Sequence, residues 1–399
     1  MYSQSFTPRD LYFCTIQTER RNFGLSKDEF VQLIDSCIGN TINDGTFQFK
    51  IKIVRNYYIN GQNKKSIEYL CQNLILRKLY NNIKRIYGVE QANRDQIVKQ
   101  MILLLKEDMP KWIIRLDVHH FYESINYNRL IERFQEDGRL NSQSIRLLKT
   151  LFSNMPLSFE NGLPRGLSIS SVMSELYMKY FDLRIRRLEG VYYYARFVDD
   201  IVVFCSNEKT QENAWNFISE SLAKMGLCMN TTKSYKWNSQ QKTIKLNYLG
   251  YTFLPKDGKS GKNLDIIIES KKVNVIKTRI TKSFVRFAKD GNFEMLKNRI
   301  KFLTGNFTLY NPSTLLPIKV GIYFNYNQVT ENNVLYELDK YFQKILHCRN
   351  GKLGSILATR MTDWQRIELT KYSFVFGFKN HVNHFFTSKM LIDINNCWR

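Results

Sequence analysis

The chain has 399 residues, of which 43% are hydrophobic and 14% aromatic, with 19 glycines and 7 prolines. This composition excludes a disordered or collagen-like protein, and the length exceeds what a single core supports, so we expect two or three lobes. No apolar run approaches the roughly 18 residues that span a bilayer, since candidates such as 101–105 are short. We therefore expect no membrane-spanning segment.

The charge balance is strongly basic, with 59 Lys and Arg residues against 36 Asp and Glu residues and a formal net charge of +23. A polyanionic partner is expected, and nucleic acid fits best because Lys and Arg neutralise phosphates irrespective of sequence. A basic surface without a specific partner and an anionic membrane surface are the alternatives.

The seven cysteines are scattered and contain no C-x-x-C pair, so neither a zinc site nor a disulfide framework is predicted. The first ten residues, MYSQSFTPRD, lack the apolar core of a signal peptide. We therefore expect a cytoplasmic protein.

Residues 1–110 have a mostly helical pattern with one hairpin. The alternating run Phe47–Val54 and the strand-like segment Tyr57–Ile59 predict its strands, with a turn signal at Asn60-Gly61. Apolar residues then follow helical spacing from Ile67 to Ile83, which predicts a helix.

Residues 111–255 have the pattern of short strands separated by helices. The predicted strands are 112–117, 192–197 and 201–204, and the predicted helices are 127–136, 170–187 and 212–225. The first strand ends at Asp117, and the turn between the other two contains Asp199 and Asp200.

Residues 256–399 are predicted to start with a linker or hairpin tip at 256–262 and then to be helical. The helix that contains Ile276 and Phe287 has apolar residues on one face and basic residues on the others. Lys277, Lys282 and Arg286 are candidate nucleic-acid contacts, and a solvated basic face is the alternative.

Three carboxylates carry the chemical argument. Asp199 and Asp200 are adjacent in a turn between two apolar runs, where their mutual repulsion needs a cation to offset it. A strand that delivers Asp117 beside this turn would complete a site for two hard cations about 3.5–4 Å apart. Such a pair would activate a primer 3′-hydroxyl and neutralise a nucleoside triphosphate.

The sequence resembles reverse transcriptases in five motifs that occur in the family's order. Motif A is Arg115–Tyr122, motif C is Phe197–Asp200, and motifs B, D and E correspond to Gly162–Ser170, Gly226–Lys233 and Leu246–Tyr251. The resemblance covers roughly residues 94–253. It implies an α+β right-hand polymerase with fingers, a palm containing an antiparallel sheet, and a helical thumb.

The resemblance also assigns roles to individual residues. Asp117, Val118, Asp199 and Asp200 form the metal set for two Mg²⁺ ions, which Mn²⁺ can replace, and the three aspartates and Lys233 are the catalytic residues. Tyr122 is the gate that selects dNTPs over NTPs. A buried palm tyrosine is the alternative for Tyr122.

Further residues are assigned to binding. The nucleotide-binding candidates are Tyr122, Arg165, Gly166, Arg94, Lys64 and Lys65, and the primer-grip candidates are Leu249 and Gly250. Arg165 stands where many reverse transcriptases have Gln, which puts copying of arbitrary RNA in doubt. Its guanidinium could face the triphosphate or a template phosphate, and surface charge is the alternative for the three upstream cations.

The expected domains are 1–110 (N-terminal region and fingers), 111–255 (palm, with a fingers segment at about 135–165) and 256–399 (linker and thumb). The segments 302–307 and 320–326 are similar to those of bacterial defence-associated reverse transcriptases, most of all the smaller enzyme of two-polymerase antiviral systems. That likeness implies a noncoding RNA template, a DNA product, a second, larger polymerase and higher-order assembly. A retron-like enzyme, a template-independent nucleotidyl transferase and a non-enzymatic RNA-binding scaffold are the alternatives.

Overall fold

The computed structural model of the protein describes residues 2–54, 56–107, 109–155, 162–239, 245–255, 264–310 and 317–398. The chain divides into two units. Unit 1 comprises residues 1–97 and 111–238, and unit 2 comprises residues 98–110 and 239–399. Each unit combines helices with antiparallel sheets, which confirms the predicted α+β class.

Unit 1 begins with helices, continues into a hairpin and then alternates strands with helices. Its helices are α1 (Pro8–Tyr12), α2 (Gln17–Phe23), α3 (Lys27–Ile38), α4 (Ile67–Ile86), the start of α5 (Arg94–Leu105), α6 (Phe121–Ser124), α7 (Tyr127–Asp137), α8 (Ser142–Ser153), α9 (Ser168–Arg186) and α10 (Glu208–Lys224). Its strands are β1 (Ile51–Val54), β2 (Tyr57–Asn60), β3 (Trp112–His119), β4 (Val191–Phe197), β5 (Asp200–Cys205), β6 (Cys228–Met229) and β7 (Tyr235–Asn238).

The main sheet of unit 1 is centred on β3, in the order β4-β5-β3-β6, with β7 also paired to β3. All these pairs are antiparallel. Strand β5 pairs with one edge of β3, whereas the other edge pairs with β7 over Trp112–Arg115 and with β6 over Val118–His119. Leu116 and Asp117 therefore lie between the two short partner strands.

The sheet packs against helices that the sequence pattern predicts well. Helix α4 begins after Ser66, whose hydroxyl accepts a hydrogen bond from the Tyr69 N–H at 3.2 Å, as an N-cap residue does. Its buried face includes Leu74 and Leu79 and packs against α9. The predicted helices 127–136, 170–187 and 212–225 correspond to α7, α9 and α10.

Strands β1 and β2 form the predicted hairpin, with Val54 opposite Tyr57. Asn56 lies in the tight connection at φ 66°, a left-handed conformation that asparagine tolerates better than most residues. The predicted Asn60-Gly61 turn signal falls at the end of β2 and not at the tip of the hairpin.

Unit 2 contains the remainder of the elements. Its helices are the end of α5, α11 (Ser270–Asp290), α12 (Phe293–Thr304), α13 (Ile322–Asn325), α14 (Asn333–Leu346), α15 (Gly351–Arg360), α16 (Asp363–Thr370), α17 (Phe374–Lys379) and α18 (Ser388–Asn396). Its strands are β8 (Leu246–Tyr248), β9 (Tyr251–Pro255), β10 (Leu264–Ile268), β11 (Asn306–Tyr310) and β12 (Pro317–Gly321).

The core of unit 2 is formed around α11, which is basic and half buried as predicted. Ile280, Phe284 and Phe287 are buried along one face, and the Phe284 ring lies 6.1 Å from that of Phe342 on α14. In the described parts of the chain, no helix is both long enough and apolar enough to cross a membrane.

Strands β10, β11 and β12 correct the prediction that the C-terminal region is helical. Strand β10 pairs with β9, and β11 pairs with β12. The β-branched run 266–268 alternates between buried and half-buried positions, which suits a strand against the aromatic β9. The predicted turn at 256–262 lies outside the described residues. The fingers, palm and thumb boundaries stay predictions.

Candidate active site

Asp117 lies near the end of β3, a strand whose apolar residues are buried on both faces of the sheet. Ile113, Ile114 and Leu116 are fully buried, and the side chain of Asp117 is 6% exposed. A carboxylate this well shielded from water needs compensating partners. The loop between the two short strands on the far edge of β3 provides some of them.

The loop between β6 and β7 closes around Asp117. The backbone N–H of Asn230 donates to the Asp117 carbonyl at 2.8 Å, and the Asp117 N–H donates to the Ser234 hydroxyl at 3.1 Å. This loop also contains Lys233, whose ammonium lies 3.1 and 3.2 Å from the two carboxylate oxygens of Asp117. The predicted catalytic lysine is therefore a direct partner of the predicted metal ligand.

The β4–β5 turn brings the other two carboxylates to the same place. Asp200 is the register partner of Asp117, and the Val118 N–H donates to the Asp199 carbonyl at 3.1 Å. The turn residue Val198 has φ 59°, an unfavourable conformation for a β-branched side chain. The sequence prediction that Asp117 meets the 199–200 turn is confirmed.

Arg196 stabilises this strained turn. Its side chain is 3% exposed and donates to the Val198 carbonyl at 3.0 Å. The same guanidinium forms ion pairs with Glu175 at 2.6 Å and Asp182 at 2.8 Å, both on α9. These charge-assisted hydrogen bonds fix the turn to the helix, and the two carboxylates raise the pKa of Arg196 despite its burial.

Arg115 is the second cation of the site. It forms an ion pair with the carboxylate of Asp200, its guanidinium lies 3.9 Å from the Asp117 carboxylate, and it donates to the Lys233 carbonyl at 2.6 Å. One guanidinium nitrogen thus lies within 4 Å of carboxylates from both β3 and β5. Arg115 and Lys233 together offset the charge that the aspartates bring into this buried place.

Burial makes ionisation of the turn carboxylates less favourable. Desolvation, together with repulsion from Asp199 and Asp117, raises the pKa of Asp200 from 3.8 to about 6, although Arg115 opposes this. Desolvation and repulsion from Asp117 also raise the pKa of Asp199. A divalent cation would favour the ionised forms of both.

Tyr122 lines a cleft of about 520 Å³ together with Tyr57, Arg165, Gly166 and residues of the first turn of α9. Burial raises the pKa of Tyr122, and the charge of Asp199 acts in the same direction. The volume lies within the usual range for small-molecule sites. The predicted gate residue and both predicted motif B residues therefore share one cleft beside the carboxylates.

Arg165 is held by Glu123, a residue that the sequence interpretation does not single out. The guanidinium donates to the two Glu123 carboxylate oxygens at 2.7 and 3.2 Å and remains 42% exposed. Its backbone bridges the β1–β2 hairpin: the Arg165 N–H donates to Asn56 and its carbonyl accepts from Tyr58, both at 2.8 Å. Close approach is also required at Gly162, where a Cβ would lie 2.4 Å from the Glu123 carbonyl.

The remaining predicted residues of unit 1 lie on the surface or at a helix start. Lys64 and Lys65 are exposed in the turn before α4. Arg94 is the first residue of α5, with its guanidinium 3.6 Å from the Asp95 carboxylate. Their binding roles stay predictions.

The candidate residues of unit 2 lie in a hairpin and along one helix. Leu249 and Gly250 form the β8–β9 turn with φ 48° and 83°. On α11, Lys277 pairs with Glu337 at 2.5 Å, Lys282 donates to the Trp398 carbonyl at 3.1 Å, and Arg286 pairs with Asp290 at 3.0 Å. All three basic groups already have partners in the protein, and their nucleic-acid contacts stay predictions.

The donor chemistry of the site suits a hard divalent cation, since Asp117, Asp199 and Asp200 offer carboxylate oxygens at low exposure. Within the described residues, no group of three His, Cys, Asp or Glu side chains is already arranged to hold a metal ion. Lys233 and Arg115 lie instead against two of the carboxylates. Metal binding at Asp117 would therefore require the ammonium of Lys233 to move away.

Residues 59–253 match the family model described as reverse transcriptase (RNA-dependent DNA polymerase). The match includes all three aspartates, Lys233 and every lining residue of the cleft except Tyr57. This segment of the chain is thus similar to reverse transcriptase domains. Such domains generally use divalent metal ions, typically Mg²⁺. A search of curated proteins finds no match.

Among solved structures, the chain is similar to telomerases at low identity. It matches an apo telomerase of Candida tropicalis at 15% identity, TM-score 0.39 and 61% coverage of each chain. It matches telomerases in complex with a TWJ fragment of telomeric RNA from Candida tropicalis (13%, TM-score 0.38) and Candida albicans (11%, TM-score 0.38), with 88% of this chain covered in both. The chain spans about 61% of the first two telomerase chains and 59% of the third.

We expect Arg196→Lys to lower the catalytic rate by more than its loss of stability explains. Lysine keeps the charge near Glu175 and Asp182 but cannot reproduce the planar fork that also reaches Val198. The control is Asp182→Asn, which weakens the same ion network without removing the donor to the turn. Rates of primer extension and melting temperatures of both variants test this, and equal rate losses at equal destabilisation would contradict it.

We expect Asp200→Asn to stabilise the metal-free protein at pH above about 6, by on the order of 1–2 kcal/mol. Because the pKa of Asp200 is raised in the folded state, the folded chain binds more protons than the unfolded chain between the two pKa values, and stability falls as pH rises through this window. The advantage of asparagine should fade as the pH falls toward about 4. Denaturant unfolding in the presence of a chelator measures the free energy of unfolding of both proteins at each pH. A difference between them that does not change with pH would exclude this explanation.

Proposed function

We propose that the site copies RNA into DNA by two-metal-ion phosphoryl transfer, with Asp117, Asp199 and Asp200 as the acidic residues. The observation that carries this proposal is the convergence of these carboxylates, from β3 and the β4–β5 turn, inside the segment that matches the reverse transcriptase family. Mg²⁺ is the proposed metal because the donors are all oxygen.

The chemistry that two bound Mg²⁺ ions supply is activation of the primer 3′-hydroxyl and neutralisation of the triphosphate charge. The protein groups contribute by positioning the carboxylates and a proton donor. The ammonium of Lys233 contacts Asp117 in the metal-free site, and once a metal displaces it from that carboxylate it is free to protonate the departing pyrophosphate. Arg196 and the backbone of β3 keep the carboxylates in place.

The cleft beside the carboxylates is the proposed nucleotide site. Tyr122 forms part of its wall, and its ring would exclude a ribose 2′-hydroxyl. Arg165 has hydrogen-bond donors beyond the two that Glu123 accepts, and its partial exposure leaves them accessible to a phosphate. Gly166, at φ 79°, lets the backbone turn here without a side chain in the cleft.

The biological setting is proposed from the sequence resemblance alone. It comprises a bacterial cytoplasm, a dedicated noncoding RNA template, phage defence, and a second, larger polymerase. Arg165 occupies the position at which the common motif B has Gln, and this difference supports a specialised template over general copying. A retron-like enzyme would also copy a structured RNA, and sequencing of the nucleic acid that copurifies with the protein separates these cases.

We expect Asp199→Asn to abolish DNA synthesis while RNA affinity stays within about twofold, because affinity comes from dispersed Lys and Arg contacts. Asp35→Asn, an exposed change of the same charge on α3, is the control and should retain activity. Primer extension on an RNA template and RNA binding at fixed salt are the measurements. Synthesis by the Asp199 variant would refute the metal-ligand role, and synthesis that survives RNase treatment would indicate template-independent transfer.

We expect Tyr122→Ala to lower the preference for dNTPs over NTPs by about tenfold or more, because a wall of the cleft is removed. Tyr122→Phe retains the ring and should retain the preference. The measurement is the ratio of kcat/KM for a dNTP and the matching NTP. If both variants discriminate like the unmodified protein, Tyr122 is a packing residue only.

A further inference from the structure

A second cleft lies in unit 1, lined by residues of α7, α9 and the C-terminal end of α10. It has a volume of about 310 Å³, and none of the three catalytic aspartates, Lys233 or Tyr122 lines it. Four of its lining side chains are cationic: Arg129, Arg133, Arg184 and Lys224. No Asp or Glu lines it. This is a second concentration of positive charge, separate from the nucleotide cleft.

Three of the four cations are held in place by groups other than carboxylates. Arg129 donates to the Lys224 carbonyl at 3.3 Å, and Arg133 donates to a carbonyl of α9 at 3.5 Å. Arg184 lies 4.8 Å from the Phe217 ring centroid. In the described part of the chain, none of the four forms an ion pair, whereas Arg196 on the other side of α9 is paired twice. Four such charges in one concavity attract an anion.

Aromatic rings complete the cleft. Tyr177 and Tyr180 both line it, and Tyr180 is 63% exposed with the Arg133 guanidinium 4.7 Å from its ring centroid. The guanidinium covers one face of the ring. An exposed ring beside unpaired cations is the arrangement that binds single strands, since bases stack on rings and phosphates meet cations.

We propose that this second cleft binds a single-stranded nucleic acid, with phosphates against Arg129, Arg133, Arg184 and Lys224 and a base stacked on Tyr180. RNA and DNA share this chemistry. RNA binding would place the unpaired template here, and DNA binding the released product. The proposal goes beyond the polymerase reaction, because a chain without catalytic activity would retain the cleft.

The test uses the full chain and fluorescent single strands of about 15 nucleotides, one RNA and one DNA of the same sequence. The double variant Arg133→Ala/Arg184→Ala should lose about tenfold in affinity or more for at least one strand. The slope of log affinity against log salt should fall by about 1.4, which corresponds to about 0.7 for each phosphate contact on a single strand. The strand that binds more tightly identifies the ligand: RNA indicates the template, and DNA indicates the product.

The matched control is Lys149→Ala/Lys209→Ala, which removes the same charge from exposed positions of α8 and α10 outside the cleft. Tyr180→Ala should weaken binding about tenfold without changing the salt slope, and Tyr180→Phe should bind normally, because stacking needs the ring and not the hydroxyl.

Extension of a short annealed primer–template should be unchanged in all these variants, which separates this proposal from the proposed polymerase site. Far-ultraviolet circular dichroism and melting temperatures verify folding. Equal losses in the cleft and control double variants, or displacement of both strands by a polyglutamate peptide as effectively as by unlabelled RNA, would overturn the proposal.

Discussion

The pairing of β3 with two different short strands on one edge is the constraint on which the candidate active site depends. Strand β5 fixes Asp200 opposite Asp117 on one side, while β6 and β7 leave a gap at Asp117 on the other. The loop that connects β6 to β7 must then cross this gap. Lys233 reaches the carboxylate because of that crossing, and its side chain stays 44% exposed while that of Asp117 is buried.

Charge compensation links the site to the rest of unit 1. Arg115 forms an ion pair with Asp200, and Lys233 forms one with Asp117. Arg196 binds the β4–β5 turn and forms ion pairs with carboxylates of α9. A buried charge without a partner is far more costly than a buried pair. The site is therefore a set of mutually dependent ions, and its strained turn at Val198 is tolerated because neighbouring hydrogen bonds hold it.

The sequence predicts the elements that have a strong local pattern. Strand β3, the Asp199-Asp200 turn and helices α4, α7 and α9 follow directly from apolar periodicity and turn chemistry. The contacts of Glu123 with Arg165 and of Arg196 with α9 could not be predicted, because they join charges far apart in the chain that have no distinctive spacing. Strands β10–β12 are not predicted for a related reason: these short segments between helices are stabilised as strands by partners that only the fold supplies.

The backbone hydrogen bonds between Arg165 and the β1–β2 hairpin connect two walls of the cleft. Two hydrogen bonds join Arg165 to Asn56 and Tyr58, and a third joins Leu163 to the Tyr122 carbonyl at 2.8 Å. Each is worth only about 1 kcal/mol net, yet a hairpin that swings outward must either break the bridge or carry Arg165 with it. The position of the β1–β2 hairpin is thus coupled to the position of Arg165 in the cleft that we propose as the nucleotide site.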